Sequence, residues 1–126
     1  MAVTKVVLKA DRWSEGVTPA TKIAGLPAIM RSILTLKWAG VEQVDIIAGD
    51  YQPLIEKVLS KRDHGVTVHY DDASHDGPVI DGAALYLREK LAQELASGEV
   101  TRESLYVRYE TRDDVRKAEK LLWSQL

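Results

Sequence analysis

Residues 27–50, PAIMRSILTLKWAGVEQVDIIAGD, hold the pattern on which the fold turns. Pro27 suits the start of a helix, because a proline there gives up an N–H that has no intrahelical partner anyway. Ile29, Ile33, Leu36 and Ala39 then follow the 3.6-residue period, and Gly40 is a natural stop. Just beyond, VDIIA at 44–48 is apolar enough to be buried on both faces, as strands of a parallel sheet are. A helix, a glycine and a buried strand make the second half of a βαβ unit.

The first half lies upstream, where VTKVVL at 3–8 reads as a strand. Downstream the alternation repeats. Gly49-Asp50 turns the chain, and 53–61 carries Leu54, Ile55, Val58 and Leu59 on one side. A third strand, VTVHY at 66–70, is followed by the polar loop DDASHDGP and a short fourth strand at Val79-Ile80. Asp81 is placed to cap a helix running to about Ser97, with Gly98 ending it. Leu105 to Glu110 alternates in polarity, as an edge strand does. Thr111 and Asp114 then resemble a capping box ahead of a helix presenting Val115, Ala118, Leu122 and Trp123. Strands alternating with helices predict a three-layer α/β/α fold, Rossmann-like, with a mostly parallel sheet of about five strands. A ligand crevice is expected at the carboxyl ends of the strands, among loops 9–22, 49–52 and 71–78.

The 126 residues fit one domain. Seventeen basic and nineteen acidic side chains leave a formal charge of -2, with no block of like charge. That gives a nucleic-acid partner no electrostatic footprint. The absence of cysteine excludes disulfides and thiolate chemistry and suits a cytoplasmic domain. MAVTKVVLKAD is too polar and too short for a signal peptide, and no stretch approaches the roughly 20 apolar residues of a membrane span.

The stretch from Val6 to Tyr51 resembles the opening of the sugar-phosphate nucleotidyltransferases. Members of that family begin with a strand and a loop of the form L-x-A-G-x-G-x-R, then P-x-x-K, G-x-P, a helix, A-G and a strand ending in glycine. Leu8, Ala10, Pro19, Lys22, Gly25, Pro27, Ala39, Gly40 and Gly49 match. YVRYETRDDVRKAEKLLWSQL, 106–126, is similar to the family's closing strand and helix. The pair most resembles the soluble cytidylyltransferase-type domain fused ahead of CDP-alcohol phosphatidyltransferases, membrane enzymes of phospholipid head-group synthesis. The resemblance covers 3–72 and 105–126. It implies a nucleotide site at Ala10, Asp11 and Lys22, Mg²⁺ at Asp81, CTP or a CDP-alcohol as ligand, and a membrane domain on the C-terminal side.

Departures from the pattern fall on the chemistry. Asp11 and Trp13 occupy the two glycine positions of the loop, and Glu15 the arginine. Glycines there let backbone N–H groups approach phosphate oxygens with no Cβ in the way. Carboxylates at such a site repel an anion by about 1 kcal/mol at ~4 Å in water and by several times that in a drier site. Only about twenty residues separate Asp81 from the last strand, too few for a complete substrate lobe. The loop therefore reads as a lapsed nucleotide site, and the domain as a non-catalytic scaffolding or self-associating module. If it were active, Lys22 and Asp81 with Mg²⁺ would have to carry a CTP-dependent nucleotidyl transfer. A nucleotide-sensing module without turnover is the third reading.

Each residue also has a plainer role. Lys22 can pair with Asp11 and Glu15, and Asp81 can serve as a helix cap. His69, Asp71, Asp72, His75 and Asp76 have metal-ligand chemistry, but no regular spacing fixes them, so a solvated loop is expected there. Trp38 is expected in or near the core. Trp13 and Trp123, on a loop and a helix end, either fold back on the domain or meet a partner.

Overall fold

A computed structural model describes residues 3–71, 77–101 and 103–125. It is α/β and Rossmann-like, with a four-stranded parallel sheet and four helices, an arrangement compatible with three layers. The sheet strands are β1 (Lys5–Lys9), β4 (Gln43–Ile47), β5 (Thr67–Tyr70) and β6 (Val79–Asp81), in the order β5-β4-β1-β6. Helix α1 (Ala28–Trp38) connects β1 to β4, and α2 (Gln52–Leu59), entered through a 3-10 turn at Gly49–Tyr51, connects β4 to β5. Between β1 and α1 the chain makes a small hairpin, β2 (Lys22–Ile23) with β3 (Leu26–Pro27).

The period of two divides the sheet's faces. Val6 and Leu8 of β1, Val44 and Ile46 of β4 and Ile80 of β6 are buried in one cluster with Ile29, Ile33 and Leu36 of α1 and Ile55 of α2. Each such side chain, fully buried, contributes about 1.5–3 kcal/mol relative to exposure. Val7 and Asp45, partners in register, have the opposite parity, and both are buried. Helix α3 (Arg88–Ser97) adds Leu91 and Leu95 to the first cluster, and Gly98 ends it in a left-handed conformation, φ 86°.

A second cluster is built from Val17, Ile23, Leu85, Val107 and Tyr109 with Val115 and Ala118 of helix α4 (Arg112–Ser124). The expected capping box is present: the Thr111 side chain accepts from the Asp114 N–H, and the Asp114 carboxylate accepts from the Thr111 N–H. One contact ties α4 to the hairpin. The Ala24 N–H donates to Glu119 Oε2 over 2.8 Å, with Ala24 itself at φ 50°, a conformation rare outside glycine.

Three expectations need correction. Asp81 caps no helix; it is the last residue of β6, and the chain turns through Gly82-Ala83 into another strand, β7 (Ala84–Tyr86), before α3 begins. The run AALYL is short and apolar, so its periodicity could not separate helix from strand. The last strand, β8 (Leu105–Arg108), pairs antiparallel with β7 in a ribbon of its own and adds nothing to the parallel sheet. Trp38 is not core: it closes α1 with 52% of its surface exposed. Trp123 is also exposed, whereas Trp13 folds back on the main cluster. Among the described residues no helix is long and apolar enough to cross a membrane.

Candidate functional site

The carboxyl ends of β1 and β6 lie side by side, with Lys9 opposite Asp81 in register. In an open parallel sheet this is the switch point, where chain connections leave in opposite directions and a crevice opens. Ala10 and Asp11 leave β1 there. Ala10 is buried, its N–H donating to the Ile47 carbonyl over 2.9 Å. Its own carbonyl accepts the Trp13 indole N–H at 2.9 Å, which folds the ring back over the start of the loop. Trp13 then meets Tyr51 edge to face, ring centroids 6.4 Å apart.

Asp11 is wedged against the turn after β4. A Cβ on Gly49, which has φ +55°, would stand 3.2 Å from the Asp11 Cβ. One carboxylate oxygen, Oδ1, is buried with no hydrogen-bond partner. Glu15 is exposed further along. The rest of the loop folds onto the start of α1. Thr21 and Pro19 carbonyls accept the N–H groups of Ala28 (2.8 Å) and Ile29 (3.1 Å). Those are donors a helix N-terminus would otherwise offer to an anion. Lys22 lies beyond this knot, exposed on the hairpin, and no ion pair joins it to Asp11, Glu15 or Asp81. The tips of β1 and β6 thus bring Ala10, Asp11 and Asp81 to one end of the sheet, while Lys22 belongs to the hairpin.

Both carboxylate oxygens of Asp81 have partners. Its Oδ1 accepts the Ala83 N–H at 2.9 Å, and its Oδ2 stands 2.9 Å from Arg108 Nε. Its backbone N–H donates to the Tyr86 hydroxyl at 3.0 Å. Burial raises the Tyr86 pKa above its ordinary value, so the phenol stays protonated at neutral pH. Arg108 and Tyr86 are the residues that the sequence reading overlooked here. Arg108 has the alternating position of a strand residue, but nothing local says which carboxylate it meets.

Gly82 sets how closely the two tips approach: a Cβ there would lie 3.0 Å from both the Ala10 Cβ and the Lys9 carbonyl. Among the described residues no three His, Asp or Glu side chains are grouped to hold a metal ion. Of the suspected metal segment, His69 is exposed on β5 and residues 72–76 lie outside the described residues. No family model and no curated protein matches the chain.

Proposed function

We propose that this is a nucleotidyltransferase-like domain without catalytic function, acting as a scaffolding or self-associating module of a CDP-alcohol phosphatidyltransferase-type protein. The observation that carries the non-catalytic half is the Asp81 carboxylate. Mg²⁺ is held by one or two protein carboxylates, and a cation already paired with the carboxylate competes with the metal. Here a guanidinium takes one oxygen at 2.9 Å and a backbone N–H takes the other. The knotted helix start and the folded indole support the same reading, since each removes surface on which a triphosphate would lie. The scaffolding half rests on the resemblance to the soluble domain of those fusions.

Calorimetric titration with CTP, with and without Mg²⁺, tests it. No saturable heat is expected at millimolar nucleotide in either case. Metal-dependent binding that Lys22→Ala abolishes would overturn the reading, and pyrophosphate release with a polar-alcohol phosphate would replace it with an active cytidylyltransferase. Binding of CDP without turnover would replace it with a nucleotide sensor. Sedimentation equilibrium addresses self-association separately.

A further inference from the structure

A groove of about 550 Å³ lies between α1, the junction of β7 with α3, and the end of α4. Leu34, Leu85, Leu87 and Leu121 supply its apolar lining. Its two tryptophans, Trp38 on α1 and Trp123 on α4, are 52% and 58% exposed and are two of the three large apolar side chains left to solvent among the described residues. The charged side chains lining it are both arginines, Arg31 and Arg88, in a chain whose net charge is -2. Arg31 is held by the Ile23 carbonyl, at 3.0 Å from Nε and 2.7 Å from Nη2, and by the Ala24 carbonyl, with Glu119 nearby. The charge free to meet an occupant is therefore that of Arg88. Arg88 lies 4.3 Å over the Trp38 ring and is exposed.

We propose that this groove docks an acidic peptide segment of a partner protein, one that carries bulky apolar side chains alongside its carboxylates. Tryptophan, tyrosine and arginine are the residue types that dominate binding energy at protein interfaces, and Tyr86 completes the set. Charge complementarity selects the sign of the occupant. A guanidinium with a ring on one face still presents its N–H edge to a carboxylate. The same charge argues against two other occupants. A two-fold dimer on this patch would bring four guanidinium groups into one interface whose lining, among the described residues, holds no carboxylate. An anionic membrane is recognised by clusters of about 4–8 basic side chains, and the lining has two. The groove meets the candidate nucleotide site only at Tyr86 and at Ala24 of the hairpin; Ala10, Asp11, Lys22 and Asp81 do not line it.

The probes are two synthetic amphipathic peptides with one leucine-rich apolar face, one carrying glutamate at every charged position and the other lysine. Binding to the whole chain is read by tryptophan fluorescence and calorimetry. The glutamate peptide is expected to saturate and to bind at least about tenfold more tightly than the lysine peptide, a difference of ~1.4 kcal/mol. Arg88→Glu should remove or reverse that preference, and Trp123→Ser should weaken the glutamate peptide about tenfold. Both side chains are exposed, so unchanged circular dichroism secures the fold of each variant. The proposal falls if neither peptide binds or both bind alike. It also falls if phosphatidylglycerol vesicles displace the glutamate peptide, or if sedimentation finds a dimer that Trp123→Ser dissolves.

Discussion

Two carboxylates stand at the ends of neighbouring parallel strands, and they are held in opposite ways. At the tip of β6, Asp81 has a partner for each oxygen. At the tip of β1, Asp11 presses against Gly49 with one oxygen buried and unpartnered. The difference teaches what each position contributes. Asp81 is a fastening between β6 and the β7–β8 ribbon, and its acidity needs no ligand to account for it. Asp11 is tolerated rather than used by the fold.

The comparison requires β6 to run tightly alongside β1, and its largest test is the glycine that brings β6 in. Gly77 has φ +116°, and a Cβ there would collide with the Lys5 carbonyl. Gly77→Ala should cost about 3 kcal/mol in urea unfolding, overpacking and backbone strain together. A tolerated alanine would mean that the two tips are not held in register. Next is Asp81→Ala, expected to cost about 2 kcal/mol, because the part-buried Ala83 N–H loses its acceptor and Arg108 its counter-charge. Arg108→Ala should cost less than about 1 kcal/mol, since the Arg108 side chain is 56% exposed. If the two cost the same, the ion pair and not the turn is what Asp81 supplies.

Asp11→Ala should act in the other direction, raising stability by about 1 kcal/mol as an unpaired oxygen is removed. A loss instead would mean that Asp11 has a stabilising role like that of Asp81. The smallest effect is expected at Glu94. Burial pushes its pKa up, but the Thr101 N–H donating to its Oε2, with Ser104 beside it, outweighs this and leaves it below its ordinary 4.5. Its contribution is therefore complete above pH 4.5 and lost as pH falls through the lower folded value. Because it steadies Thr101 near the start of β8, it also steadies the strand that delivers Arg108. Glu94→Gln should flatten the acid limb of urea midpoints measured on both sides of that pH.

Much of the sheet was legible because its signals are local. Val6 to Leu8 and Val44 to Ile46 declare themselves as buried strands, Gly98 ends a helix, and Thr111 with Asp114 starts one. What stayed hidden depends on residues far apart in sequence. Asp81 looks like a cap until Arg108, arriving on another strand, meets it. Ala84-Leu85-Tyr86 looks helical until β8 pairs with it. Trp38 obeys the apolar character of its helix yet is its last residue, where only Arg88 at the start of α3 lies over the ring and half the surface stays exposed. Asp11 and Trp13 in the loop after β1 were visible in the sequence, but the indole folding onto Ala10 and the knot over the start of α1 were not.

The contact between Glu119 and Ala24 makes the final helix a latch on the β2–β3 hairpin. Ala24 is kept in a left-handed twist that costs an ordinary residue about 1–2 kcal/mol. Freed of Glu119, the turn would lose one of the bonds that hold that twist. A shift of α4 would then reach Lys22 by this route without first disturbing the parallel sheet.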